Sequence, residues 1–271
     1  MEQKKAANAD YNVNNVRCGP MKLFDALSLS KRDVVSLVGG GGKTSTMFAL
    51  SREAKDRGLK TALTTTTRIY CPPNPELPLI LTQKLHEPFS AVFDNLLTFP
   101  TVLIGADIST ENKLAGIHPS LVPQILEAGA ALVIVEADGA ARKPFKAPAN
   151  HEPVIPEATT VVIPVVGVDC LDRPIHGDYI HRPEMVAQLG GVALGERLTP
   201  EVVAKVLTHN LGFRKDIPAN CRWIPFINKV ETKQDLEQAR KIAQMVGNII
   251  PCRVIIGAVK NLNPVVEVID F

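Results

Sequence analysis

Apolar residues alternate between short continuous runs and helix-spaced segments along most of the chain. The run 34–38 is rich in β-branched residues and leads into four glycines, after which apolar residues recur at helical spacing over 44–57. A second strand is predicted over 60–67, and strand, helix, strand at this spacing is typical of a parallel βαβ unit with a right-handed crossover. The pattern therefore predicts an α/β fold, with a mostly parallel sheet flanked by helices.

The same alternation continues along the chain and sets the predicted domain limits. Residues 1–20 are polar, so we expect a disordered N-terminal extension before a single α/β domain over 21–271. That domain could include a small subdomain around 168–220. Pro-rich residues 71–78 are predicted to form a loop. Further predicted strands cover 79–81, 101–105, 131–135, 159–166, 223–227 and, as the last strand, 253–256, and further predicted helices cover 21–29, 87–97, 119–128, 184–189, 200–207 and 233–246.

Composition and charge exclude several classes of partner. The 271 residues are 45% hydrophobic, which is ample for a buried core, and 30 basic against 28 acidic residues give no electrostatic reason to expect nucleic acid. No apolar run reaches the length of a membrane span, so no membrane partner is expected. Five cysteines form no Cys-x-x-Cys pair, which indicates reduced thiols in a cytoplasmic protein. The spacing of Cys170, His176 and His181 fits no standard metal site.

The glycine run is the strongest candidate for binding chemistry. A backbone without Cβ atoms can direct successive N–H groups at a polyphosphate, and the helix that follows adds the positive end of its dipole. In this interpretation Lys43 reaches the β- and γ-phosphates of ATP or GTP, and the Thr44 hydroxyl binds Mg²⁺. The predicted nucleotide-binding residues of this loop are Gly39, Gly40, Gly41, Gly42, Lys43, Thr44 and Ser45.

The loop departs from the usual phosphate-loop spacing. Leu37 stands where the first glycine is expected, which leaves a loop two residues shorter, similar to that of the Mur-type ligases. The alternative is a glycine-rich strand-to-helix turn without a ligand, but glycine weakens strands and helices, so four in succession favour nucleotide binding. A dinucleotide-binding fold is excluded because Thr44 replaces its third glycine, and because the second predicted strand leads into threonines rather than an acid.

Two acids follow the buried strand predicted over 131–135. An acid in this position, after a phosphate loop in the chain, is suited to orient Mg²⁺ through water, so Glu136 or Asp138 is predicted to hold the metal beside Thr44. Strand-terminal acids can also be simple helix caps. The predicted catalytic residues are Lys43, Glu136 and Asp138.

Hydroxyls and cations near the expected ligand edge of the sheet are candidates for binding a substrate anion. Four threonines end the predicted strand 60–67, although threonine also favours strands for conformational reasons. The loop 142–156 carries three cations and four prolines, and its alternative interpretation is a solvated linker. The predicted anion contacts are Thr66, Thr67, Arg68, Arg142, Lys143 and Lys146.

A base-binding motif is predicted after the strand 223–227. Asn228, Lys229 and Glu231 occupy the positions of the guanine-reading Asn-Lys-x-Asp motif of GTPases, with glutamate in place of aspartate. The longer acid leaves the choice between ATP and GTP open. The alternative is an N-cap and first turn for the helix that follows.

Taken together, these motifs resemble the YqeC family of selenium-dependent hydroxylase accessory proteins. The resemblance rests on residues 39–45, 64–67, 135–139, 146–156, 181–184 and 227–229 and extends over about 21–271. It implies a phosphate-loop NTPase fold, a role in maturing molybdenum hydroxylases through selenium or cofactor handling, and such a hydroxylase or its maturation factors as partner. The sequence departs from the family pattern at Arg68, where histidine is expected, and at Glu231, where aspartate is expected.

Three functions are consistent with these features. The first is an NTP-hydrolysing maturation factor that uses ATP or GTP with Mg²⁺. The second is a small-molecule kinase or NTP-dependent ligase that acts on an anionic acceptor held by the 142–146 segment. The third is a nucleotide-sensing binding module without turnover.

Overall fold

The computed structural model describes residues 16–71 and 77–271 and places alternating strands and helices along them. The strands are β1 Val16–Met21, β2 Val34–Gly39, β3 Thr61–Thr65, β4 Ile69–Tyr70, β5 Leu79–Leu81, β6 Thr101–Gly105, β7 Lys113–Leu114, β8 Leu132–Glu136, β9 Phe145–Lys146, β10 Val161–Gly167, β11 Ile180–His181, β12 Arg222–Trp223, β13 Phe226–Asn228, β14 Arg253–Gly257 and β15 Val265–Asp270. The α-helices are α1 Leu23–Ala26, α2 Lys43–Asp56, α3 Pro88–Thr98, α4 Val122–Glu127, α5 Pro183–Gly190, α6 Pro200–Thr208 and α7 Lys233–Ile249.

One large sheet of eleven strands organises the described residues. Its order is β1-β15-β14-β13-β10-β2-β8-β3-β6-β5, with β12 also beside β10. All neighbours are parallel except at β15, which runs antiparallel to both β1 and β14. The central strands β2, β8 and β10 are buried along their whole length, as parallel strands covered on both faces should be. The predicted α/β class is confirmed.

Helices cover both faces of this sheet and define two apolar cores. Val34 and Val38 of β2 belong to the core shared with α3 to α7, whereas Val35 and Leu37 belong to the core shared with α1 and α2. This alternation follows from the two-residue period of a strand. The segment 168–220 carries α5 and α6, whose buried apolar residues lie in the same core as those of α7.

The strand β2 lies where the chain changes direction across the sheet. From β2 the chain passes through α2 to β3, on the side of β8, whereas β10, β13 and β14 lie on the other side. Such a reversal opens a crevice at the carboxyl ends of the strands, and this crevice is where open α/β sheets bind ligands. The residues that follow β2, β8 and β13 therefore lie along one edge.

Two terminal strands differ from the sequence prediction. The strand Val16–Met21 pairs with β15, so the prediction that disorder extends to residue 20 is wrong from Val16 onward. Most of this edge strand is exposed and lacks an apolar face, so its hydropathy did not reveal it. The strand at 253–256 is also not the last, because β15 follows it. Residues 1–15 of the predicted extension and 72–76 of the predicted loop 71–78 lie outside the described residues.

Two small sheets lie beside the large one. An antiparallel ribbon pairs β4 with β7, and a parallel pair joins β9 to β11. The second pair ties the predicted loop 142–156 to the chain just before α5. No helix in residues 16–71 and 77–271 combines the length and apolarity needed to cross a bilayer.

Candidate functional site

The turn between β2 and α2, residues 39–42, forms a glycine loop that packs tightly against its neighbours. Gly41 and Gly42 have φ values of 75° and 124°, which other residues adopt only with strain. A Cβ at Gly41 would collide with the backbone of Gly167, and one at Gly42 would lie 2.6 Å from the Asn228 amide nitrogen. Glycine is therefore required here by packing alone, so the glycine run has a structural explanation that is independent of any ligand.

The amide groups of the glycine loop divide into two sets. Gly39 donates to the Asp138 carboxylate at 2.9 and 3.1 Å, while Gly40 and Gly41 donate to the carbonyl oxygens of Val165 and Lys143 at 3.0 and 3.1 Å. Within the described residues, no acceptor faces the amides of residues 42–45, which open a helix of 14 residues. These four amides and the helix dipole are the part of the loop that could hold an anion.

Lys43 lies between two acids rather than in open solvent. Its side chain is 4% exposed, and its ammonium lies 3.1 Å from Asp138, 3.6 Å from Glu136 and 2.5 Å from the Gly39 carbonyl oxygen. Burial lowers the pKa of Lys43, but the carboxylates of Asp138 and Glu136 outweigh it, so the pKa is raised and the group stays charged. An anion above the loop would have to draw this ammonium away from the two acids.

Glu136 is the acid that reaches the floor of the open cleft. Its carboxylate accepts a hydrogen bond of 2.9 Å from the Thr44 hydroxyl, which brings together two of the three predicted metal ligands. Burial raises the pKa of Glu136 and outweighs the opposite effect of Lys43. Hydroxyl and carboxylate oxygens are ligands that Mg²⁺ accepts, and Mg²⁺ usually retains several waters, so the pair fits a Mg²⁺ ion.

Asp138 is fully buried below the glycine loop. One of its oxygens faces Gly39 and Lys43, and the other faces Gly39 and, at 3.1 Å, Lys146. Both oxygens are therefore engaged by protein donors. The structure thus separates two acids that the sequence treats as equivalent.

Beyond Asp138 the ion pairs continue into the loop that was predicted to bind substrate. Lys146 is fully buried and contacts Glu152 at 2.5 Å, and Glu152 accepts two hydrogen bonds from Arg182 at 2.6 and 3.1 Å. Burial alone would raise the pKa of Glu152, but its bonds to Arg182 and Lys146 lower it to about 2. We refer to this set as the ion-pair ladder; it consists of Lys43, Glu136, Asp138, Lys146, Glu152 and Arg182.

Glu152 and Arg182 were not predicted from the sequence as site residues. Both lie in segments on which the family resemblance rests, 146–156 and 181–184. The sequence did not indicate that they form an ion pair with each other. The solvated-linker interpretation of 142–156 is wrong at Lys146, which has no exposed surface.

A cleft of about 1190 Å³ opens above the glycine loop. Its walls come from the start of α2, the β4–β7 ribbon, residues 139–143, and Lys229, Val259 and Lys260 after β13 and β14. Within the described residues, the only carboxylate in this lining is Glu136, whereas the cations are Lys43, Arg52, Arg68, Lys113, Arg142, Lys143, Lys229 and Lys260. The cleft is therefore suited to a ligand with several negative charges.

The six predicted anion contacts separate into two groups. Arg68, Arg142 and Lys143 line the cleft. Of the others, Thr66 donates to the Val154 carbonyl oxygen at 2.6 Å, while Lys146 belongs to the ion-pair ladder. Neither Thr66 nor Thr67 is among the described residues that line the cleft.

The three predicted base-binding residues have different surroundings. The buried Asn228 donates to the Gly41 carbonyl oxygen at 2.8 Å and accepts from the Val259 amide at 2.9 Å, so it holds the glycine loop. Lys229 lines the cleft and pairs with Asp169 at 2.7 Å. Glu231 is exposed just before α7, whose capping box is formed by Thr232 and Asp235. In residues 16–71 and 77–271, no group of three or more His, Cys, Asp or Glu is disposed to hold a metal.

Comparison with known proteins places the chain in a family. The family model described as "YqeC protein" matches residues 35–184, which is more than half of the chain and includes the glycine loop and the whole ion-pair ladder. The chain is also similar to the "Uncharacterized protein YqeC" of Escherichia coli (strain K12), with 28% identity over 212 residues that cover 78% of this chain and 81% of that protein. The chain belongs to the YqeC family.

Proposed function

We propose that this protein is a nucleoside-triphosphate-binding factor that hydrolyses ATP or GTP with Mg²⁺ and acts in the maturation of selenium-dependent molybdenum hydroxylases. The observation that carries the nucleotide part is a set of four helix amides, residues 42–45, that meet no acceptor within the described residues and belong to the same turn as Lys43 and Thr44, the partner of Glu136. Backbone amides, an ammonium and a metal-compatible oxygen pair at one sheet edge are the groups that a polyphosphate needs.

The residues would divide the work as follows. The amides of 42–45 hold the phosphates, Lys43 leaves its acids to contact the terminal phosphate oxygens, and Thr44 with Glu136 holds Mg²⁺. The bound Mg²⁺ would neutralise charge that develops on the phosphate oxygens. Asp138 would keep the loop in position through Gly39. We assign no role in nucleotide contact to Asp138, because protein donors engage both of its oxygens.

The maturation role rests on a different kind of support. Family membership agrees with an accessory protein, and the resemblance of the motifs implies molybdenum hydroxylases as clients.

Lys229 lines the cleft on the side of β13. A base placed there would lie beside the Lys229 stem and in reach of the loop that ends at Glu231.

A second candidate is a small-molecule kinase or an NTP-dependent ligase. The cleft of about 1190 Å³ exceeds the range of roughly 300–1,000 Å³ typical of sites for one small ligand. Its additional cations, including Arg142 and Lys143, would then face an anionic acceptor beside the nucleotide.

Calorimetric titration with ATP and GTP, with Mg²⁺ and with EDTA, tests nucleotide binding directly. Thr44→Val removes the hydroxyl that faces Glu136, so it should weaken binding in Mg²⁺ and leave binding in EDTA unchanged. The matched control is Thr46→Val. The Thr46 hydroxyl donates to the Gly42 carbonyl oxygen, and Thr46 is not among the described residues that line the cleft.

Phosphate release then separates the candidate functions. Release by the protein alone supports a hydrolase, and release or transfer that requires an added acceptor supports a kinase or ligase. Binding without either would indicate a sensor. If neither nucleotide binds the folded protein, the proposed function is wrong.

A further inference from the structure

The wall of the cleft opposite Lys229 carries a cluster of cations around one exposed aromatic ring. The Arg142 guanidinium lies 4.4 Å from the centre of the Tyr70 ring, and the Lys113 ammonium lies 5.5 Å from it. Arg68 lines the same cleft just before β4. We call Arg68, Tyr70, Lys113 and Arg142 the ribbon wall, because the β4–β7 ribbon holds Tyr70 opposite Lys113.

The order of strands separates the ribbon wall from the side where a base would lie. The ribbon strands β4 and β7 follow β3 and β6, which lie beyond β8 on one side of β2. Lys229 and Lys260 follow β13 and β14 on the other side of β2. A nucleotide whose phosphates lie at α2 and whose base lies near Lys229 would leave the ribbon wall uncovered.

The ribbon wall has more positive charge than its own acids can balance. Lys113 pairs with Glu111, and the hydrogen bond from Lys113, followed by the charge of Lys113 and a smaller effect of Arg68, lowers the pKa of that carboxyl. Glu111 is 70% exposed, and it does not belong to the cleft lining given by the described residues. Like charges held close together disfavour one another unless an anion joins them.

We propose that the ribbon wall binds a second ligand, a small molecule with at least two negative charges carried by phosphate or carboxylate groups. Arginine side chains bind both phosphate and carboxylate through paired N–H donors. Arg68 and Arg142 supply two guanidinium groups of this kind. This inference rests on the proposed function, because it names the chemical class of the molecule that lies beside the nucleotide.

Inorganic pyrophosphate is a suitable probe, titrated calorimetrically at fixed free Mg²⁺. One titration uses the protein alone, and the other uses protein saturated with a non-hydrolysable ATP or GTP analogue that blocks the helix amides. The inference predicts that pyrophosphate still binds the saturated protein. A parallel titration with propane-1,2,3-tricarboxylate shows whether phosphate or carboxylate is preferred, and binding of either supports the proposed site.

Three single substitutions locate the second site. Arg142→Gln and Arg68→Gln each remove one charge from the ribbon wall and should weaken pyrophosphate binding to the saturated protein about tenfold. Lys260→Gln removes one charge from the opposite wall and is the matched control, with an expected change below about twofold. Unchanged melting temperatures exclude loss of the fold as the cause.

The outcomes distinguish this inference from the proposed function. If nucleotide binds but neither probe binds the saturated protein, the second site does not exist and the proposed function stands. If no nucleotide binds, while pyrophosphate binds and is weakened by Arg142→Gln but not by Lys260→Gln, the proposed function fails and the ribbon-wall site stands. Equal weakening by all three substitutions would show general charge attraction and overturn the inference.

Discussion

The charges below the glycine loop and those above it are arranged in opposite ways. The ion-pair ladder below it contains three cations and three carboxylates, mostly buried and in mutual contact. The ribbon wall above it contains three cations, of which Lys113 and Arg142 lie against the ring of an exposed tyrosine. One set is electrically balanced, and the other is not.

The difference shows how burial determines what a charge can do. A charge without solvent must be paired inside the protein, so the ladder stabilises one arrangement of the loop and has little charge left for a ligand. An exposed charge can remain unpaired at low cost, so the ribbon wall retains its attraction for anions. Lys43 is a member of the ladder that also lines the cleft, and it contacts Asp138.

The largest effect is expected from Asp138→Asn. The substitution preserves shape but leaves Lys43 and Lys146 without their shared carboxylate, so the free energy of unfolding should fall by roughly 3–5 kcal/mol. Urea unfolding measures this change. Asp169→Asn is the matched control, because Asp169 forms a half-exposed pair with Lys229 whose loss should cost less than about 1 kcal/mol. Similar losses in the two variants would show that burial does not determine how much these ion pairs contribute to stability.

The next effect depends on pH. The folded pKa of Glu152 is about 2 against an ordinary value of 4.5, so its ion pairs stabilise the folded protein above pH 4.5, and this contribution disappears as the pH falls toward 2. Glu152→Gln should therefore lower the free energy of unfolding by about 3 kcal/mol at pH 7. The difference from the unsubstituted protein should shrink between pH 4.5 and pH 2. A difference that stays constant over this range would show that ionisation of Glu152 is not its source.

Lys43→Met tests a residue of the ladder that also lines the cleft. Each ammonium–phosphate contact contributes roughly 1.5–3 kcal/mol, so nucleotide affinity should fall by at least about tenfold in calorimetry. Stability should fall as well, because Asp138 and Glu136 lose a shared cation. Lys260→Met, on the exposed rim, should leave stability unchanged. Unaltered nucleotide affinity in folded Lys43→Met protein would refute the assignment of the loop.

The smallest effect is expected at Glu231. Its side chain is exposed and one methylene longer than the usual acid, so GTP should raise the melting temperature only slightly more than ATP. A nucleotide at about a hundred times its dissociation constant raises the free energy of unfolding by roughly 2.7 kcal/mol. At equal concentrations the nucleotide that binds more tightly raises it more. Glu231→Asp should sharpen the preference for GTP, and Glu231→Ala should remove it. Glu237→Asp, on the exposed side of α7, is the control and should leave the melting temperatures with GTP and ATP unchanged. If GTP and ATP raise the melting temperature equally in every variant, the motif is only a helix cap.

The sequence alone was enough to predict the centre of the sheet. Fully apolar runs such as 131–135 indicate strands buried on both faces, and the glycine run marks the turn into α2. The edge strand β1 was missed because its residues are mostly exposed and are held by backbone pairing with β15, which hydropathy does not record. The strand β1 depends on a partner far away in the chain.

Sequence motifs pointed to Lys43, Thr44 and Glu136, which the structure brings together, but not to their arrangement or to Glu152 and Arg182. Glu136 and Asp138 are two positions apart in the sequence. Their different surroundings are visible only in the folded protein, where Glu136 reaches the cleft and Asp138 is buried below it. Likewise, Arg182 pairs with Glu152 across 30 positions of sequence. Glycine in the loop is equally required by close packing and by a bound phosphate, so its presence could not distinguish them.

The pairing of β1 with β15 makes this fold a candidate for circular permutation. Val16 lies opposite Ile269, so the start of the first described strand and the end of the last one are neighbours. A short linker from Phe271 to Val16, in place of residues 1–15, would close the backbone without disturbing the sheet. New ends could then open at the exposed turn around Leu194, which contains no residue of the glycine loop or the ladder. Reordering the chain in this way would leave the cleft intact while moving both termini to the turn that precedes α6.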